Sequence, residues 1–249
     1  MGGVDPQGWA DGELAELDAA AVQELAPTET LRAGVVQAPL AGVFFVGLRP
    51  DGTPFGTTVT LFEALARHIA RPVTFHVFPN SGECTEAVAT GAVDVAFMPV
   101  DEYRRERVAF GPGYFELEST FLVSAASGIT TLAGVDRDGV RVVGIDGTTT
   151  IRAAARSLAH TVPVPVRGVE EAFAMLRDGR ADAVALSRDS LEQVVGTMPG
   201  SRIVPGGFQR TSVSVAVPPE RPGALEVVST WLNGAVENGT VAAALARPV

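Results

Sequence analysis

Lysine is absent from the 249 residues: all 19 basic side chains are arginine. That absence excludes a Schiff-base lysine, a pyridoxal-phosphate lysine and the lysine of a P-loop. A single cysteine, Cys84, excludes an internal disulfide. Histidine is scarce as well. His68, His76 and Cys84 lack the paired-cysteine or HExxH spacing that gathers metal ligands, so neither a metal nor another cofactor is expected. No sequence feature pairs Cys84 with a base, and no GxSxG elbow is present. Apolar runs of about 18 residues are missing too, so no membrane-spanning helix is expected. Positive charge is in the minority: the net charge is −10 and the pI about 4.8, which argues against nucleic acid and anionic membrane as partners.

What remains is core-forming material. The hydrophobic content of 46% against 19% charged fits a globular chain. Its length suits one large domain or two lobes of about 100 residues each. Residues 1–12 read as a loose tail. Leu14, Leu17, Ala21, Val22 and Leu25 then recur at helical spacing, and Pro27 stops the pattern. Strands are expected at 31–36, 72–78 and 92–98, with helices at 57–70 and 82–91 between them. A second round follows: strands at 139–145, 162–166 and 181–186, with helices at 149–160 and 169–179. The prolines in 162–166 make it an edge strand. Alternation of this kind implies βαβ units on mainly parallel sheets.

The two rounds share a pattern. Gly91, Asp94 and Asp101 match Gly179, Asp182 and Asp189 at a constant offset, in the order helix, glycine stop, aspartate, buried strand, polar turn. Two similar lobes are therefore expected. A strand at 211–218 and a helix at 223–239 have no counterpart in the second round and are expected to return to the first lobe. Residues 1–30 form the tail and first helix, 31–123 with 211–249 the first lobe, and 124–210 the second. The two crossings fall near Val123–Ser124 and Phe208–Thr211.

Ligands of open α/β sheets bind beyond the carboxyl ends of the strands. After 31–36 come Gln37, Pro39 and Leu40, which suit either a cleft wall or an ordinary strand exit. After 92–98 come Met98, Pro99 and "VDEYRRER". Asp101 is positioned to cap a short helix. Arg104, Arg105 and Arg107 cannot all point one way, so most are solvated or paired with Asp101, Glu102 and Glu106, and one is free to turn inward. A guanidinium holds a carboxylate with two parallel bonds. After 139–145, "GIDGTTTIR" opens a helix whose N–H groups favour an anion, or whose Thr148 or Thr149 only caps it. After 181–186 come Ser187, Arg188 and Asp189, where Ser187 or Asp189 caps the next helix.

At these residues the chain resembles the family 3 solute-binding proteins of bacterial transporters, the amino-acid-binding type. The ordered set is "LRAGV", "DGTPFGTTVTLFEALARHI", "GAVDVAFMPVDEYRRERVAFGPGY", "GVRVVGIDGTTTIRAAA", "GRADAVALSRDS" and "LNGAVENGTVAAAL", over about residues 30–246. The resemblance implies a two-lobed α/β fold of the type II periplasmic-binding class, with each lobe a mainly parallel sheet flanked by helices and two hinge crossings. It implies a monomer that closes around a small organic anion or amino-acid-like ligand and serves the membrane permease of an ABC transporter. It implies a periplasmic location, a signal peptide having been removed ahead of this chain, with a cytoplasmic sensor as the alternative.

The resemblance also assigns residues. Arg104 matches the arginine that holds the ligand's α-carboxylate, Gly147, Thr148 and Thr149 match the second-lobe "GTT", and Pro99 falls where a serine or threonine meets the α-amino group. Two family acids are missing: Ser187 stands in place of the aspartate that pairs the ammonium, and Thr58 in place of another. Proline has no N–H to offer. The expected ligand is thus a carboxylate without a standard α-amino group, with Arg188 available to a second acidic group. The alternative is a lyase like the cyclohexadienyl dehydratases on the same lobes, for which Glu116, Glu118 and Asp189 are the candidate acids.

Overall fold

The structure, a computed structural model, describes residues 17–38 and 42–246. The first half of the chain runs α1 (Ala19–Leu25), β1 (Leu31–Val36), β2 (Gly47–Leu48), β3 (Pro54–Phe55), α2 (Thr57–His68), β4 (Val73–Phe78), α3 (Ser81–Ala89), β5 (Val95–Pro99), α4 (Glu102–Arg105) and β6 (Ala109–Val123). It continues through α5 (Leu132–Val135), β7 (Val142–Ile145), α6 (Thr149–Ser157), β8 (Val164–Val166), α7 (Val169–Arg177), β9 (Ala183–Ser187), α8 (Arg188–Val194), β10 (Arg202–Ile203), β11 (Gln209–Val217), α9 (Pro222–Glu237) and α10 (Thr240–Leu245).

Among the described residues one mixed sheet runs through both halves in the order β4-β1-β5-β11-β6-β9-β7-β8, with β10 added against β6. The outer strands are parallel: β4, β1 and β5 on one side, β9, β7 and β8 on the other. β5, β7 and β9 are buried along their whole length, as strands covered by helices on both faces must be. β8 sits at the edge, where Pro163 and Pro165 remove no needed ladder bond. The middle of the sheet is antiparallel. β11 lies between β5 and β6, and β6 in turn pairs with β9.

The first crossing lies earlier than Val123–Ser124. β6 is a single 15-residue strand. It pairs with β11 up to Ser119 and with β9 over Ser119–Val123, so it changes partner in mid-course. Nothing in "ELESTFLV" breaks an extended chain, which is why the strand passes through. Gln209 pairs with Ser119, so the returning strand crosses beside it.

The repeated glycine and aspartate form the same brace twice. Asp94 accepts bonds from the backbone N–H of Arg32 at 3.0 Å and from its Nε at 2.9 Å, while Arg32 Nη2 reaches Gly91 O at 2.9 Å. Asp182 does the same with Arg141, at 2.9 and 3.0 Å, and Arg141 Nη1 reaches Gly179 O. Gly91 and Gly179 have φ of 71° and 68°, the left-handed turn that ends a helix without a Cβ penalty. Each brace closes a helix-to-strand turn, so β5 begins at Val95 and β9 at Ala183, later than periodicity alone suggests.

α1 begins at Ala19 with Asp18 as its N-cap. Leu14 lies outside the described residues. The helix packs on α9, where Glu24 Oε2 accepts the N–H of Gly223 at 2.7 Å and of Ala224 at 3.3 Å. That carboxylate takes up two donors that a helix start leaves unpaired. α9 buries Val228, Trp231 and Leu232 beneath it.

Candidate functional site

The ends of β4, β5, β7 and β9 meet in a narrow cleft where the sheet changes partner. One wall carries Phe44, Phe45, Pro79, Asn80, Ser81 and Pro99. Facing it are Ile145, Thr148, Thr149, Thr150, Leu186 and Ser187, with Leu117 of β6 at the floor. The walls come close, leaving a cavity of about 20 Å³ between them.

Arg104 is the inward-turning arginine. The short α4 is capped by Asp101, whose Oδ1 accepts the N–H of Arg104 at 3.0 Å. The cap sends the side chain back under β5, where it is fully buried. Nη1 donates to Pro99 O at 2.8 Å, Nη2 to Ser81 Oγ at 2.7 Å, and Nη2 reaches Gly147 O across the cleft at 3.4 Å. Nε has no partner among the described residues, and no carboxylate forms an ion pair with this guanidinium there. Burial pulls its pKa down to about 10, with Arg152 adding repulsion and Asp101 opposing it; the group stays cationic at neutral pH. The neighbouring Arg105 and Arg107 remain on the surface, near Glu102, Glu86 and Glu106.

Opposite stands the start of α6. Thr148 is its N-cap, accepting Ile151 N–H at 3.2 Å and donating to Ile145 O at 2.7 Å. Thr148 therefore caps the helix, and its first N–H groups, those of Thr149 and Thr150, open at the cleft. Gly147 precedes it with φ 67°. Its carbonyl faces Arg104 and its backbone touches Gly82 of α3: a Cβ built on Gly82 would lie 2.9 Å from Gly147 Cα. Nearby, Thr150 and Ser119 share a buried hydroxyl contact of 3.4 Å.

The other expected residues divide. Pro99 and Ser187 line the cleft. Ser187 occupies the N-cap position of α8 and donates to Ser190 Oγ at 2.8 Å. Met98 is buried behind the wall, its sulfur accepting from Thr85 Oγ1 at 3.4 Å. Gln37 is exposed, bridged to Val46, and is not a wall residue. Leu40, like Pro39, lies outside the described residues. Arg188 turns away from the cleft: Nε donates to Glu118 Oε2 at 2.7 Å and Nη2 to Gly206 O at 2.8 Å. Glu118 is thus occupied at the crossing. Glu116 sits on a separate surface hollow with Arg105 and Arg210. Asp189 is half-buried with its pKa raised by burial; it is not among the cleft-lining residues, and its Oδ2, without a partner among the described residues, lies close to Gly42. Thr58 is buried in the first turn of α2. Burial pushes the Cys84 thiol up to about 12, leaving no thiolate at neutral pH.

Sequence reasoning missed Phe44, Phe45, Asn80 and Ser81. The end of β4 is a strand end like the others, and "FPNSGE" places a capping asparagine and a serine there. The aromatic pair "FF" was the other available signal.

The bacterial extracellular solute-binding protein family 3 profile matches residues 44–247. This chain belongs to that family. The solute receptor for L-cysteine of Neisseria gonorrhoeae is 21% identical, with a TM-score of 0.79 over 90% of this chain and 91% of that one. A mutant of ArgBP from T. maritima is 23% identical, with a TM-score of 0.79 over 90% and 97%. AncCDT-1, an ancestral amino acid-binding protein and precursor of cyclohexadienyl dehydratase, is 23% identical, with a TM-score of 0.76 over 90% and 96%. At these identities the likeness shows the fold, the two-lobed type II periplasmic-binding class. No curated protein sequence matches significantly. For this solute-binding protein the described cleft thus lies between the two lobes, at the carboxyl ends of their strands.

Proposed function

We propose that this protein closes around a small carboxylate outside the cytoplasm and hands it to the membrane permease of an ABC-type importer. Arg104 carries the reading. A buried guanidinium without an acidic partner is costly unless an anion joins it. Its Nε has no partner among the described residues, its Nη2 donates to Ser81 Oγ, and Ser81 shares the cleft with the opening turn of α6; together these groups supply the donors an anion needs. The remaining walls, Phe44, Phe45, Ile145 and Leu186, favour an apolar body on the ligand.

The ligand we infer lacks a standard α-amino group. Pro99 offers only a carbonyl, and that carbonyl already accepts from Arg104. Ser187 is a hydroxyl where an ammonium needs a carboxylate. Arg188, held by Glu118, supplies no second cationic contact, so one carboxylate suffices. A thermal-shift panel followed by titration calorimetry tests this, since binding to the folded state raises the melting temperature. Apolar monocarboxylates should shift the transition, and the twenty L-amino acids should not. Micromolar binding of ordinary L-amino acids would end the proposal.

A second reading, a lyase on the same lobes, draws on one observation: Asp189 holds its proton more tightly than a free aspartate. It is not among the residues that line the cleft, which favours the binding reading. Mass-spectrometric detection of prephenate or arogenate turnover would reverse that preference.

A further inference from the structure

Asp101 does two jobs at once. Its Oδ1 caps α4 and holds the backbone of Arg104. Its Oδ2 accepts from Arg152 Nε of α6, across the cleft, at 2.7 Å, with Nη2 of Arg152 at 2.5 Å from the same oxygen. The Arg152 guanidinium also lies 4.7 Å from the ring centroid of Tyr103, and Arg107 lies 3.6 Å from that centroid. Only 8% of the Asp101 side chain and 23% of the Arg152 side chain is exposed. Beside this pair Gly82 and Gly147 meet backbone to backbone, and Arg104 reaches Gly147 O.

From these contacts we infer that Arg152 and Asp101 form a built-in latch, which fastens the lobes by protein contacts alone, and that Asp101 is thereby a positioning residue for Arg104. The charges of the latch lie at the rim of the cleft, one on each lobe, so parting the lobes separates them. With about 20 Å³ between the walls, a ligand enters only after the latch opens. The latch therefore sets the fraction of open, binding-competent molecules, and apparent affinity falls in proportion to that fraction. Because the Arg152 side chain stays partly exposed, and both charges become exposed once the lobes part, salt favours the open form.

The test needs no ligand and is independent of the carboxylate proposal. Small-angle X-ray scattering is recorded on the full chain, dialysed free of small molecules, at low and high salt. Asp101→Asn keeps a capping oxygen for α4 but removes the charge. Arg152→Gln removes the cation, and Arg152→Lys keeps it without the planar fork. The unmodified protein should be compact at low salt and expand as salt rises. Asp101→Asn and Arg152→Gln should be expanded at every salt concentration, with the closed-to-open ratio lowered by about 5- to 30-fold. Arg152→Lys should fall between. Melting curves separate opening from unfolding, and the salt series on the unmodified chain decides the matter even if one variant fails to fold. A scattering profile that salt does not change, shared by all folded variants, would overturn the latch.

Discussion

Arg104 heads the fully buried side chains by size among the described residues. A charge at that depth has to be accounted for, and its three bonds to oxygens of Pro99, Ser81 and Gly147 do so only in part. Replacing it by alanine should leave the bound carboxylate unpaired in a dry cleft. The expected loss is about 2–5 kcal/mol of binding free energy, measured by calorimetry on the variant with the best ligand from the panel. Unchanged affinity in a folded Arg104→Ala protein would remove the residue from the site. Among the arginines of "DEYRRER", spacing says only that one is free to turn inward; Arg104 was singled out by the family resemblance, and it is the one that is buried. Arg188 was not legible. Its partner Glu118 is 70 residues away, and nothing local in "LSRDS" shows that a strand crossing between lobes will offer a carboxylate.

At the scale of elements, side chains that bond backbone decide where helices stop. α6 was expected to run to residue 160, yet it ends at Ser157. Asp136, from the end of α5, accepts the N–H groups of Ala159 at 2.9 Å and His160 at 2.7 Å and turns the chain out of the helix. Those two bonds, with a contact to the His160 ring at 3.2 Å, hold the Asp136 carboxyl well below the ordinary value, at about 2. A carboxyl depressed on folding contributes stability above its unfolded pKa of 3.8 and loses it as the pH falls toward 2. Asp136→Asn should therefore melt lower than the unmodified protein at neutral pH. The difference should shrink between about pH 4 and pH 2, followed by circular dichroism. A pH-independent gap would mean that packing, not the charge, holds this turn. The braces at Asp94 and Asp182 were legible only as a repeat. Their bonding to Arg32 and Arg141 joins residues 62 and 41 positions apart and needed the fold. Ser81 and the phenylalanine pair were missed for the same reason: Ser81, at the first position of α3, and Phe44 and Phe45, in the loop after β1, reach the cleft only because of the sheet order.

On the scale of the whole molecule, two lobes share one sheet and touch through two glycines. A methyl group on Gly82 meets the Gly147 backbone, which has no flexible end to move aside. Gly82→Ala should fold, because residue 82 lies in the first turn of α3 without a left-handed φ. It should nevertheless hold the lobes apart. A larger radius of gyration with an unchanged melting profile is the expected result; a compact Gly82→Ala protein would show that the lobes can close by another path. The lobe order was readable from the alternating strands and helices, while the crossing inside β6 was not, because an uninterrupted apolar strand gives no mark where its partner changes. The placement of β11 has a consequence for synthesis. A ribosome delivers β5 and β6 early, but the strand that joins them is among the last segments to emerge. All elements of the second lobe are made before the first lobe can complete its sheet. Through that interval β5 and β6 both present unpaired edges, the kind that recruit strands from other chains. A nascent chain arrested before Gln209 would carry an open slot one strand wide in the middle of its sheet, and shielding that slot falls to whatever meets the chain as it leaves the ribosome.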